Sequence, residues 1–149
     1  MSRDYDWCIK KRRIVRQEFV DDLIKPEFES AKADLVRAEK TFADADYKWA
    51  TIQAYYSMFH AARALLHHKG FREKSHACLK YAIEALYVDS GILEIEYLSD
   101  FDTTMLLRET ADYKSDFSKE GAETSIDCAR RFIKRAEEII PLGQENSTQ

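Results

Sequence analysis

Two arginines stand where apolar residues are due. In the stretch beginning at Tyr47, Trp49, Ile52, Tyr56 and Phe59 recur at helical spacing, and the next position of that stripe is Arg63, with Leu66 beyond it. His67 lies one turn past Arg63, and His60 two turns before His67, so these polar groups share a flank. The stretch from Glu94 repeats the arrangement: Leu98, Phe101 and Met105 lead to Arg108, followed one turn later by Asp112 and then Tyr113. A guanidinium cannot shed its charge at accessible pH, so an inward-leaning Arg needs a carboxylate, several carbonyls or a bound anion. Arg108 therefore either bridges to Asp112 or another carboxylate, or lines a groove and grips a phosphate in two places. Arg63 has a third option, because its stem can lie on the core while its head reaches water.

The histidines are His60, His67, His68 and His76. A metal site needs two or three of them to converge with carboxylates. His60 and His67 are a heptad apart and His67 and His68 diverge, so no metal site and no cofactor are expected. His76 follows Ser75, a capping residue type, and is expected to contact a helix end or pack on an aromatic ring. No Gly-rich phosphate loop, nucleophile elbow or CxxC pair occurs, which excludes the enzymes built on them. The basic run Lys10–Lys11–Arg12–Arg13, with Arg16 and Lys25, reads as a solvated helix face or as a contact for RNA or an acidic partner.

The elements that position these groups follow from punctuation and rhythm. The chain has 149 residues, 45% hydrophobic and 34% charged, with four Gly and two Pro. That supports one packed domain, and so few turn residues argue against a sandwich or barrel. The net charge of −4 excludes a global basic field, although residues 1–25 carry seven Lys/Arg against five Asp/Glu. The spacing predicts a basic helix from Trp7 to Ile24, interrupted at Lys25–Pro26. Helices then follow over Phe28–Phe42, Tyr47–Lys69 (ended by Gly70), Ser75–Tyr87, Glu94–Tyr113 and a last one carrying Ile126, Ala129, Ile133, Ala136 and Ile140, stopped by Pro141. The expected architecture is all-α, an antiparallel up-and-down bundle of five to six helices. Its parts are a basic N-terminal helix packed on the domain (1–26), the bundle proper (27–141) and a frayed tail (142–149). Eight Phe, eight Tyr and two Trp exceed what so small a bundle can bury, which predicts a self-association face. Cys8, Cys78 and Cys128 are too scattered for a disulfide framework and are expected to pack as small apolar groups. With no membrane span and no apolar leader, the chain reads as cytoplasmic.

The segment Ala54-Tyr-Tyr-Ser-Met-Phe-His-Ala-Ala-Arg-Ala-Leu-Leu66 resembles the signature helix of the HEPN superfamily, in its small stand-alone prokaryotic branch. Arg108-Glu-Thr-Ala-Asp112-Tyr113 resembles that branch's second motif, and Lys74-Ser-His76 fits between them. The resemblance spans about residues 27–140, with both motifs in order and register. It implies a helical bundle that forms homodimers. It also implies kinship with metal-independent ribonucleases, often toxins neutralised by a minimal nucleotidyltransferase partner. In those members an Arg is followed at a short interval by a catalytic His, and two copies bring the sites together in a dimer cleft. Here Tyr113 occupies the position matching that His, and no His follows anywhere in the chain. The site residues implied are Arg108, Asp112 and Tyr113 as candidate catalytic groups, with Arg63, His67, Arg108 and His76 for nucleotide or RNA binding. Three readings stay open: a HEPN module of a two-gene toxin–antitoxin type system that binds nucleotide or RNA, a metal-independent RNA endonuclease, and a purely structural dimeric module.

Overall fold

The computed structural model describes residues 3–141; the tail expected over 142–149 lies outside the described residues. Six α-helices and one small two-stranded sheet make up the described chain: α1 (Arg3–Lys10), β1 (Ile14–Arg16), α2 (Asp21–Ala43), α3 (Tyr47–His68), β2 (Phe71–Glu73), α4 (His76–Ile83), α5 (Ile95–Lys114) and α6 (Lys119–Ile139). The all-α bundle is thus observed. Its centre is α3, which buries Ala50, Ile52, Ala54, Tyr55, Met58, Phe59, Ala61, Ala62, Ala64, Leu65 and Leu66 around most of its circumference. A helix apolar on nearly every side must be wrapped by others, and α2, α5 and α6 pack against it. Four of the buried α3 residues named are alanines between Ala54 and Ala64, small enough to let neighbouring helices approach closely. Tyr55, Tyr87, Phe101, Phe132, Met58 and Leu65 are the bulk of the fully enclosed side chains.

The helix ends follow local chemistry. Asp46 caps α3 by accepting from the Trp49 N–H at 3.3 Å, Ser75 caps α4 by accepting from the Cys78 N–H at 3.1 Å, and Ser118 caps α6 through the Gly121 N–H at 2.9 Å. Gly70 ends α3 in the left-handed region, with φ +86°, and nothing lies within 4 Å of where a Cβ would stand. Gly70→Ala should therefore cost only the backbone penalty, about 1 kcal/mol, seen as a small drop in the urea midpoint with an unchanged slope. Beyond Ile83, α4 widens into a π-helical turn over Glu84–Val88, which sends Tyr87 inward to donate its hydroxyl proton to the Leu65 carbonyl.

The N-terminal region departs from the expected Trp7–Ile24 helix. Instead α1 stops at Lys10, Arg12 turns the chain with φ +55°, and β1 pairs antiparallel with β2, Ile14 opposite Glu73 and Arg16 opposite Phe71. The basic run accordingly spans a helix end, a turn and a strand rather than one helix face. Val15, Phe19 and Leu23 have helical spacing, but β-branched Ile14 and Val15 find a strand partner, and Phe19 sits at φ +57°, largely exposed. Pro26 does not interrupt the chain either: α2 begins at Asp21 and runs through it. The carbonyl deprived of a donor belongs to exposed Asp22, where water can satisfy it.

The cysteine expectation holds for Cys128, which is free and buried, and is corrected for the other two. Cys8 and Cys78 form a disulfide, with Cα atoms 5.8 Å apart, that fastens α1 to α4. Seventy residues separate the pair, so only the tertiary fold brings them together. Among the described residues no helix is long and apolar enough to cross a membrane.

Candidate functional site

Arg108 projects from α5 onto the aromatic surface of α3. Its guanidinium carbon lies 5.5 Å from the Tyr55 ring centre, 5.3 Å from Tyr56 and 5.5 Å from Tyr113, three contacts of the cation–π kind. It donates to the Tyr56 hydroxyl at 2.7 Å. Asp112 approaches only to 3.8 Å, too far for a hydrogen bond and a weak ion pair. The side chain is 13% exposed, and its Nε is buried with no hydrogen-bond partner. A guanidinium carries five donors, and this one is largely withdrawn from water with one strong bond made. The bridge to Asp112 is thus present but does not saturate Arg108.

His76 comes from the first turn of α4 and faces the same tyrosines. Its Nδ1 is 2.6 Å from the Tyr55 hydroxyl. The imidazole stacks on Phe59 with ring centres 4.4 Å apart and on Tyr55 at 5.7 Å, so the expectation that it packs on an aromatic ring is met. Burial, and after it the Arg108 guanidinium, lowers the His76 pKa below the usual imidazole value, with Glu73 acting in the opposite direction. Burial likewise pushes the Tyr55 phenol far above its ordinary value, so it stays protonated. Tyr113, by contrast, is 73% exposed and lies over Arg108 from the solvent side.

Arg63 and His67 belong to a second cluster, in which Arg63 also touches Phe59. The Arg63 guanidinium lies 4.6 Å from the Phe59 ring centre and grips Glu73 in fork fashion, Nε at 3.1 Å and Nη2 at 2.7 Å from the same carboxylate. Glu27 of α2 sits beneath, 2.7 Å from His60 Nδ1, 3.5 Å from His67 Nε2 and 3.6 Å from Arg63. Burial opposes ionisation of Glu27, but hydrogen bonds from His60 and His67 and the nearby Arg63 outweigh it, lowering its pKa to about 2. A cavity of about 240 Å³ opens here, lined by Glu27, Arg63, His67, Arg72 and Glu73. Arg63 and His67 are thus largely occupied by Glu27 and Glu73, while Arg108, with Asp112 and Tyr113 against it, shares the Tyr55 and Tyr56 rings with His76. Among the described residues no group of His, Cys, Asp and Glu is placed to hold a metal ion.

Tyr55, Glu27 and Glu73 join these clusters without standing out in the sequence. Tyr55 was hidden because its neighbour Tyr56 fits the apolar stripe, and adjacent tyrosines beside an interrupting Arg are the signal that marks the pair. Glu27 and Glu73 carry no such signal, since their partners lie far away in sequence.

A compact α-helical bundle with a half-buried arginine on a tyrosine shelf beside an imidazole defines the structural class. Comparison supplies the family. A family model described as HEPN domain matches residues 27–139. A Methanocaldococcus jannaschii protein named "Putative toxin MJ0605" is 32% identical over 118 residues, covering 78% of this chain and 88% of its own. A second protein of that organism, "Putative toxin MJ0142", is 25% identical over 114 residues, covering 75% and 78% respectively. The crystal structure of TT1696 from Thermus thermophilus superposes with a TM-score of 0.63 at 20% identity, over 77% of this chain and 96% of that one, a likeness of fold. This chain belongs to the HEPN family.

Proposed function

We propose that this HEPN chain is the toxin-like component of a two-gene system. As a homodimer it binds the phosphate of a nucleotide or RNA strand beside Arg108, and a minimal nucleotidyltransferase is its partner. The single observation that carries the phosphate reading is the state of Arg108, withdrawn from water on three tyrosine rings with one strong hydrogen bond and an orphaned Nε. An oxyanion arriving at such a group gains charge-assisted hydrogen bonds that water supplies poorly there. The dimer reading is supported by the exposed apolar flank of α5, where Leu106 is 66% exposed, Tyr113 follows two turns later, and Phe117 stands just beyond the helix. The toxin reading is supported by family membership and by the names its relatives carry.

Arg108→Ala tests the phosphate reading. Binding of a fluorescein-labelled single-stranded RNA should weaken about tenfold to a hundredfold, the worth of one or two hydrogen bonds from a charged donor, while the melting temperature moves by only a few degrees. Unchanged binding with a large thermal loss favours a purely structural arginine and removes the site. A second reading, metal-independent cleavage of RNA, is favoured by one observation: His76 lies against the same Tyr55 ring as Arg108.

A further inference from the structure

We propose that α1 and the β1–β2 ribbon form a docking surface for a single RNA strand, with the Trp7 indole as a platform for a base and Arg13, Arg72 and Lys74 as phosphate contacts. Most of this surface lies where the family model does not reach: α1 and β1 precede residue 27, at which the match begins. The inference rests on the reading above only for the choice of RNA as the polyanion.

Within α1, Tyr5 and Cys8 turn into the core, while Trp7 and Ile9 stay outside, 48% and 40% exposed. The helix carrying that indole is no loose end, because Cys8, the next residue, is bonded to Cys78 of α4. Trp7 is therefore held at the surface. Beside it runs a groove of about 610 Å³, lined by Arg3, Asp6, Trp7, Ile9 and Lys10. The Arg13 guanidinium stands 5.8 Å from the Trp7 ring centre, so charge and aromatic surface meet there.

The ribbon continues the charge. Ile14 and Glu73 are paired and buried, so the next pair, Val15 and Arg72, takes the opposite face. The Lys74 N–H donates to the Arg13 carbonyl at 2.8 Å, which carries the pairing one step further and places those two residues on the Arg72 face. Arg13, Arg72 and Lys74 are all exposed, and Arg72 also borders the cavity at Glu27. The one acid of the two strands, Glu73, is buried and spent on Arg63. Among the described residues Lys10, Arg13, Arg72 and Lys74 form no ion pair. The arginines of α6 differ: Arg130 is paired with Glu39 and Asp127, Arg131 with Asp100, and Arg135 with Glu94 and Glu138. From Arg3 to Arg16 six Lys/Arg stand against two Asp, a local reversal of sign in a chain of net charge −4.

Unpaired cations attract any polyanion, but an indole fixed among them narrows the choice. A single strand offers a phosphate at every nucleotide and an unstacked base for the ring, whereas a duplex keeps its bases in the stack. An acidic protein segment is the rival occupant. Lys74 stands two residues before His76, so the charged face leads to the start of α4, where His76 shares the Tyr55 ring with Arg108.

The experiment titrates the full chain, disulfide intact, with fluorescein-labelled oligouridine at several salt concentrations and, in parallel, follows tryptophan fluorescence with the unlabelled oligomer. RNA should quench the wild type. Trp7→Leu should abolish most of the quench and weaken binding about tenfold. Arg13→Gln/Arg72→Gln/Lys74→Gln should weaken binding and flatten the slope of log K against log salt by about two, the counterions released by three phosphates. Lys40→Gln/Lys119→Gln/Lys134→Gln, the same loss of charge at exposed positions of α2 and α6, should leave the slope unchanged. Equal slopes for the two triple variants, or an undiminished quench in Trp7→Leu, overturn the docking surface and leave Arg108 as the phosphate site. Polyglutamate that displaces the RNA and quenches Trp7 as well as RNA does overturns the choice of occupant in favour of an acidic protein. Binding lost in Arg108→Ala but kept in the ribbon variant overturns this inference alone, and wild-type protein that binds no RNA overturns both.

Discussion

Removing the Cys8–Cys78 bond is expected to destabilise the fold by about 4 kcal/mol, the loop-closure entropy returned to an unfolded chain freed of a 70-residue constraint. For a domain of this size that is a fall in melting temperature on the order of 10 °C. The loss should concentrate in the N-terminal region, because α1 is held to the bundle chiefly through α4, and β1 by its short ladder with β2. Both cysteines are fully enclosed, so Cys8→Ala/Cys78→Ala is a cleaner replacement than serine, which would bury a hydroxyl. Thermal melts of wild type with and without reductant, and of the double variant, give the number. Amide exchange locates it: protection should drop first over residues 3–16. A melting temperature indifferent to reductant and to the double substitution would show that the bond is absent or that α1 contributes nothing. The bond also bears on the proposed site. Cys78 is in the same first turn of α4 as His76, so reduction should loosen the imidazole where it stacks on Tyr55 and Phe59.

Acid should unfold the protein through Glu27. Its folded pKa of about 2 lies below the ordinary value of 4.5, so its carboxylate form is favoured by the native state. The stabilisation is fully present above pH 4.5 and is lost as the pH falls from there towards 2. At 1.36 kcal/mol per pKa unit this amounts to about 3 kcal/mol. Glu27→Gln should remove a comparable amount at pH 7, because His60, His67 and Arg63 all lose the charge they converge on, and it should flatten the acid limb of a stability–pH curve. Urea midpoints from pH 3 to pH 7 for wild type and variant measure both. Parallel curves, with the variant as acid-sensitive as the wild type, would place the acid lability elsewhere.

Much of the architecture was legible because helices announce themselves locally. The α6 stripe of Ile126, Ala129, Ile133 and Ala136 is buried as its period requires, and Asp46, Ser75 and Gly70 stand at helix ends where their chemistry places them. The same local rhythm failed where a segment finds a distant partner. Helical spacing over Val15, Phe19 and Leu23 gave way to a strand once Phe71–Glu73 was alongside, and Trp49, due on the α3 stripe, remains half exposed near the helix start.

For the site, the sequence by itself determined which side chains have chemistry that burial cannot tolerate unaided: an arginine in place of an apolar residue commits the fold to supplying it a partner. Which partner was decided by tertiary structure. Arg63 received Glu73 and Glu27, from a strand and a helix that the chain's local pattern does not connect to it. Arg108 received tyrosine rings, one hydroxyl and a distant carboxylate. His76 came to stand beside it only because α4 packs on α3. Periodicity encodes which face a residue takes on its own helix, whereas charge neutralisation and proton transfer depend on distances between helices, and those are set by how the whole core packs.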